Sequence, residues 1–236
     1  MIRFVRSLLF ALFFLGGTVP LALMIAAVAP FSKGAVRRGA HLWSRWVVGC
    51  ARLLAGVRLV VRGAVPQHAG LVAFKHQSAF ETYLTLYLFD QPAVVMKQEL
   101  LDIPVWGFIA RRHGSIGVDR ARGTAAMKAL IREGRERAAA GRPILIFPEG
   151  TRVPLGTAPP LKSGLAALYG LLQLPIVPVA IDSGRLWHRG FLKSPGTVTL
   201  AFGEPIPPGL AREEMEARVH AAINADPTRL AANPAP

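Results

Sequence analysis

Leu71-Val72-Ala73-Phe74-Lys75-His76-Gln77-Ser78-Ala79-Phe80-Glu81 is the stretch from which the rest of the chain can be read. Four apolar residues come first, a short run of strand character, and Thr82 to Phe89 follows as a helix-compatible stretch. The order is therefore a strand, a turn carrying a histidine, and a helix carrying a carboxylate. On one regular helix His76 and Glu81 would point to different faces, because each step turns by about 100°. With His76 in the loop and Glu81 in the first helical turns, they can meet as a base and its orienter. Such a pair activates a hydroxyl for attack on an acyl group.

The same texture continues outward. Short β-branched runs at Val57-Val61, Leu71-Phe74, Ala93-Met96, Ile144-Phe147, Ile176-Ile181 and Val198-Phe202 alternate with helical stretches at about 81–89, 124–140 and 163–172. That alternation predicts an α/β domain with a mixed central sheet flanked by helices. Thr124 is the expected N-cap of the second helix, and Gly141 its stop before Pro143. The polar side of that helix, with Lys128, Arg132, Arg135 and Arg137, reads as a solvated face. A last amphipathic helix is expected over 210–225, with Met215, Val219 and Ile223 inward. The division is an anchor and interfacial helix over 1–55, a catalytic domain over 56–225, and a frayed tail over 226–236.

The anchor is the most apolar part. Ser7 to Phe31 is almost without polar side chains, with Arg3 and Arg6 before it and Lys33, Arg37 and Arg38 after it. The run is about long enough to cross a bilayer as a helix. It also has the outline of a secretory signal, but it is long for one and is expected to stay on the chain. Gly16, Gly17 and Pro20 are expected to interrupt it, which leaves a tilted span or a bent in-plane anchor. Arg37 to Leu54 mixes Trp43 and Trp46 with His41, Arg45 and Arg52, a pattern suited to the headgroup region.

Composition agrees with a membrane setting. The chain has 236 residues, 52% of them hydrophobic, and a formal charge of +14 from 28 Lys and Arg against 14 Asp and Glu. Its mean hydropathy is +0.36. A basic, apolar chain suits an anionic membrane surface or anionic substrates. No zinc spacing or basic-aromatic motif points to nucleic acid, and none is expected as a partner. The single cysteine, Cys50, excludes an internal disulfide framework and reads as a structural thiol. No phosphate-loop sequence or Gly-x-Ser-x-Gly elbow occurs.

Three later stretches join the opening one: Gly114 to Arg120, Phe147-Pro148-Glu149-Gly150-Thr151-Arg152, and Val177 to Gly184. Each lies where a strand gives way to a loop, and in an open α/β sheet ligands collect outside the carboxyl ends of strands. These blocks resemble the four motifs of the 1-acylglycerol-3-phosphate acyltransferases, the glycerolipid acyltransferase family. The family's His-x-x-x-x-Asp stands here as His76 to Glu81. Asp119-Arg120, the unchanged Phe147 to Arg152, and Val177-Pro178-Val179 match the other three in order. Lys97-Gln98-Glu99-Leu100, with Pro104 and Gly107, is similar as well.

The resemblance implies transfer of a fatty acyl group from acyl-CoA or acyl carrier protein to the hydroxyl of lysophosphatidic acid. A thioester is already activated, so neither metal nor cofactor is expected. His76 would take the hydroxyl proton, and Glu81 would hold the imidazole. Arg120 and Arg152, with Lys97 third, would bind the acceptor phosphate. Glu149 would orient one of those arginines or bind a hydroxyl, and Gly150 and Thr151 would shape the turn. Backbone N–H groups near Gly150 or at the start of the Glu81 helix are candidate oxyanion donors. The implied place is the inner membrane, with the site at the cytoplasmic face. The rival readings are another acceptor, such as a lyso-ornithine lipid, another lysophospholipid or glycerol-3-phosphate, and a non-catalytic membrane lipid-binding protein.

Two residues depart from the family. Glu81 stands where aspartate is usual, and its extra methylene moves the carboxylate by about 1.5 Å. Asp182 stands where relatives often carry an amide, which would bear on acceptor choice.

Overall fold

The computed structural model describes residues 1–66 and 68–229. Two helices lead the chain: α1 (Ile2–Val28) and α2 (Lys33–Cys50), the latter widening into a π-type turn over Ala51–Ala55. Then come β1 (Val57–Arg62), β2 (Leu71–Phe74), α3 (Phe80–Leu88), β3 (Ala93–Lys97), α4 (Gln98–Leu101), α5 (Trp106–His113) and β4 (Ile116–Val118). The remainder is α6 (Thr124–Ala139), β5 (Ile144–Ile146), α7 (Ser163–Leu172), β6 (Ile176–Ile181), β7 (Gly196–Phe202) and α8 (Arg212–Ile223).

Among the described residues the strands make one sheet in the order β1-β7-β6-β2-β5-β3-β4. Every neighbouring pair is parallel except β6 and β7. The mixed sheet with flanking helices is the architecture expected. β2, buried at every residue, shows how the two layers are made. Val72 and Phe74 face a core shared with Phe10, Cys50, Phe80 and Leu84, from α1, α2 and α3. Leu71 and Ala73 face the other core, with Leu130, Leu165, Leu168 and Met215, from α6, α7 and α8. A strand covered on both sides reads as an unbroken apolar run rather than an alternating one. Because β2 to β6 all run the same way, their carboxyl ends open on one edge of the sheet, and the motif loops leave from that edge.

The structure corrects several expectations. α1 passes through Gly16, Gly17 and Pro20 as one continuous helix. Gly17 is a packing contact, since a Cβ there would collide with the Trp46 indole of α2. Both α2 tryptophans hydrogen-bond to α1, but only Trp43 leaves the surface. Trp43 is buried and donates to Thr18 Oγ1 at 3.0 Å, and Trp46 Nε1 donates to the Phe13 carbonyl at 3.2 Å. Pro178 lies inside the sheet, just before the pairing of β6 with β7 begins at Val179, so its missing N–H costs no ladder bond. Gly123, at φ 50°, precedes α6 where Thr124 was expected to cap it.

β4 and α5 were not anticipated. β4 has three residues and a central glycine. α5 begins directly after Val105, whose φ of 64° and the Trp106 N–H to Pro104 carbonyl bond of 2.7 Å make a γ-turn of the rarer hand. Gly107 is obligatory there, because a Cβ would overlap the Leu101 carbonyl of α4. At the carboxyl end, Pro227–Arg229 form a short turn with Pro227 buried, where a frayed tail was expected; 230–236 lie outside the described residues.

Candidate functional site

His76 sits two residues beyond β2, on the edge where the parallel strands end. Its ring packs on Phe147, with centroids 4.2 Å apart and planes tilted by 30°. Nδ1 is buried without a hydrogen-bond partner. Burial, and then the charges of Arg152 and Arg189, push the imidazole down to about 4. The ring is therefore neutral at physiological pH and able to accept a proton.

Two carboxylates hold the backbone of this loop. Glu149 Oε2 accepts from the His76 N–H at 3.0 Å. Glu81 accepts from the Gln77 N–H at 2.6 Å, the Ser78 N–H at 2.9 Å and Ser78 Oγ at 2.6 Å. The expected Glu81–imidazole hydrogen bond is thus not formed. The glutamate side chain is long enough to fold back over the start of its own helix, where the N–H groups lack intrahelical partners. Ser78 Oγ in turn accepts from the Phe80 N–H at 3.0 Å. Ser78-x-x-Glu81 has the reciprocal pattern of a capping box, a signal that was legible in the sequence. Burial pushes the Glu81 carboxyl above its ordinary value, and its hydrogen bonds from Ser78 and Gln77 pull the other way.

Glu149 is committed as well. Its Oε1 meets Lys75 Nζ at 2.5 Å, and both side chains are buried. Lys75 spends its other two N–H bonds on the Thr157 carbonyl at 2.7 Å and Asn224 Oδ1 at 2.6 Å. All three ammonium hydrogens are thereby used. Glu149 touches neither Arg120 nor Arg152; it belongs to the scaffold under His76, a correction to its expected role. A buried ion pair needs full pairing of both partners to offset desolvation, and this one has it. Parallel pairing of β2 with β5 sets Ala73 beside Ile146, so the residues beyond both strands meet. Lys75, one step before the histidine, was passed over, and Asn224 had no sequence signal at all.

The remaining expected residues divide by position. Arg120 Nη2 donates to the Gly150 carbonyl at 2.5 Å. Gly150 has φ 72°, and its N–H closes a turn on Phe147 O at 2.9 Å, so it is not free for an oxyanion. The Phe80 N–H at the start of α3 is likewise spent. Thr151 and Arg152 are exposed, and Val153 N–H returns to the His76 carbonyl at 2.7 Å. Lys97 ends β3 on the same sheet edge, exposed and without a salt bridge among the described residues. Asp182 accepts from the Thr199 N–H at 2.7 Å and so links β6 to β7. No cluster of three His, Cys, Asp or Glu side chains suited to a metal occurs among the described residues.

Residues after β6 also reach the site: Ser183 and Gly184 close the stretch marked in the sequence, whereas Arg189 and Trp187 went unmarked. Arg189 donates to the Arg152 carbonyl at 2.5 Å. Ser183 Oγ lies 2.9 Å from Ser78 Oγ, and Gly184 N–H donates to Gln77 Oε1 at 3.0 Å. Trp187 stacks on Phe80 at 4.8 Å and meets Phe10 of α1 edge-on at 5.1 Å. The loop after β6 therefore joins the histidine turn to the first helix.

The chain is similar to known acyltransferases. Residues 58–182 match the family model described as Acyltransferase. A 1-acyl-sn-glycerol-3-phosphate acyltransferase of Pseudomonas aeruginosa is 34% identical over 86% of this chain and 80% of its own length. A lyso-ornithine lipid O-acyltransferase of Rhodobacter capsulatus is 31% identical over 71% of this chain and 64% of its own. The crystal structure of the 1-acyl-sn-glycerophosphate acyltransferase of Thermotoga maritima superposes with a TM-score of 0.76 at 22% identity, covering 94% of this chain and 95% of that one.

Proposed function

The chain belongs to the acyltransferase family, and on that footing we propose that it acylates the sn-2 hydroxyl of 1-acylglycerol-3-phosphate, giving phosphatidic acid. The donor is acyl-CoA or acyl carrier protein. The observation that carries the proposal is a neutral, half-buried imidazole at the sheet edge with Arg152 and Arg189 close enough to depress its pKa.

His76 takes the acceptor hydroxyl's proton as the oxygen attacks the thioester carbonyl. The tetrahedral oxyanion collapses, the C–S bond breaks, and the imidazolium returns the proton to the departing thiolate. A base placed in this way contributes about 10²–10⁴-fold. Glu81 is a positioning residue, acting through the N–H groups of Gln77 and Ser78. Arg152 and Arg189 bind the acceptor phosphate as guanidinium forks, Arg120 acts beside them through the Gly150 turn, and Lys97 is the outlying cation. The N–H groups of Thr151 and Arg152, which donate to no acceptor among the described residues, are the donors left for the oxyanion.

The membrane supplies the acceptor. α1 is held along its length: Arg3 Nε donates to the Lys193 carbonyl at 3.2 Å, and Arg112 Nε to the Ala29 carbonyl at 2.9 Å. Its outward side is an exposed apolar face, with Leu12, Val19 and Leu23 among others. A helix fastened at both ends to one domain supports an in-plane seat on a single leaflet over a span. The cytoplasmic face of the inner membrane is where the thioester donors are found.

A lyso-ornithine acceptor has support in the Rhodobacter capsulatus relative. Its headgroup carries an ammonium beside its carboxylate, which suits a pair of arginines less well than a phosphate does. The test is acyl transfer from both donors to a panel of lysolipids. We expect the lysophosphatidic acid product to dominate, His76→Ala to lose at least about 10²-fold in kcat, and Arg152→Ala to raise KM for the acceptor more than for the donor. Preferred acylation of the ornithine lipid, or full activity of His76→Ala, overturns the proposal.

A further inference from the structure

Helix α2 presents three faces. Val36, Ala40, Trp43, Val47 and Cys50 are buried against the domain. Leu42 and Trp46, one turn apart, form an exposed apolar stripe, and Trp46 meets α1 at Phe13, which is itself exposed. Arg38, His41 and Arg45 follow the same helical spacing on the neighbouring stripe, away from α1. The cationic stripe thus borders the exposed apolar surface.

That border is concave. A cleft of about 390 Å3 lies between α2 and the loop after α3, lined by Arg37, Arg38, His41, Leu42, Arg45 and Asp90. Asp90 is its one carboxylate, and Arg37 Nη2 holds it at 2.8 Å. Arg37 Nε is buried without a partner. His41 Nδ1 lies 3.1 Å from the Leu86 carbonyl, which fixes the ring at the cleft wall. Arg38 and Arg45 enter no salt bridge among the described residues. Three guanidinium groups face one carboxylate already in use.

We propose that this cleft binds the phosphate headgroup of an anionic phospholipid, at a site apart from the acyl acceptor's; the proposal rests on the membrane seating of α1. Guanidinium forks match phosphate oxygens, and Leu42 with the adjoining stripe gives the acyl tails an apolar path that a free phosphate ion would not use. The other basic stripe, Lys128, Arg132 and Arg135 on α6, offers a contrast. It covers the opposite face of the sheet from α1.

The test is vesicle flotation of the full chain. Wild type is expected to bind vesicles with about 30 mol% phosphatidylglycerol more tightly than phosphatidylcholine vesicles, at about fivefold per engaged arginine. Arg38→Gln with Arg45→Gln should remove most of that gain while leaving binding to phosphatidylcholine and transfer to micellar lysolipid unchanged. Arg132→Gln with Arg135→Gln should keep the gain. Equal losses in the two double variants would mean diffuse attraction to a basic surface and would overturn the cleft. Displacement by millimolar inorganic phosphate beyond a chloride control of matched ionic strength would mean that the cleft takes the free ion and would overturn the lipid as its occupant. Binding to phosphatidylcholine with no gain from phosphatidylglycerol would overturn the cleft but leave the membrane seating intact. Failure to bind either vesicle would overturn both, while acyl transfer in micelles would still test the catalytic reading separately.

Discussion

His76 works only as the neutral base, so activity falls as pH drops through its pKa. Burial first, then Arg152 and Arg189, hold that pKa at about 4 in the free protein. An acceptor phosphate beside those arginines offsets their charge, and the imidazole becomes more basic once the acceptor is bound. The acid limb of kcat, which reports the bound complex, is therefore expected at higher pH than that of kcat/KM. Arg189→Gln should move the kcat/KM limb upward by about half a unit, the scale of one partly screened charge at this range. Coincident limbs that ignore the substitution would remove the arginines from the vicinity of the base. Much of this site was legible from residue types and order: His76, Arg152 and the Phe147 to Arg152 turn fall on one sheet edge as expected. The partner of Glu81 was misassigned, because base-and-orienter logic left the capping box spelled by Ser78 and Glu81 unread. Arg189 and Asn224 could not be found, since only the folded chain brings them near.

Helices α1 and α2 meet through a glycine, and here spacing misled. Gly16, Gly17 and Pro20 look like a break in an apolar run, yet the helix continues because α2 supports it. The two glycines have opposite surroundings. A Cβ at Gly16 meets nothing, whereas one at Gly17 meets the Trp46 indole. Gly16→Ala should raise the thermal midpoint by a small amount, from helix propensity worth up to about 1 kcal/mol. Gly17→Ala should lower it, by overpacking worth about 1–3 kcal/mol. Shifts of the same sign would mean that the two helices do not pack as described. β4 and α5 escaped notice for a related reason. A three-residue strand has no period to detect, and α5 starts from a γ-turn that no propensity favours.

Both ends of α1 rest on the same body, about 40 Å apart at 1.5 Å per residue. A span would have to carry the Phe4–Phe191 contact at one end and the Arg112–Pro30 contact at the other to opposite sides of a bilayer. In a Cys50→Ala background, a cysteine tag before Met1 and Lys33→Cys should therefore both react with an impermeant maleimide from the side that bears the catalytic domain. Reaction from opposite sides would establish a span. Lys75 joins distant parts of the chain in a comparable way, binding Glu149, Thr157 and Asn224 at once. This imposes an order on biosynthesis. On the ribosome the lipid-facing helices emerge first and can reach the membrane while the sheet is incomplete. The last of these ligands, Asn224, follows every strand of the sheet in chain order. A nascent chain can thus be moored before the ground beneath its histidine is finished, and a product cut short of Asn224 would keep its mooring while leaving a buried ammonium one acceptor short.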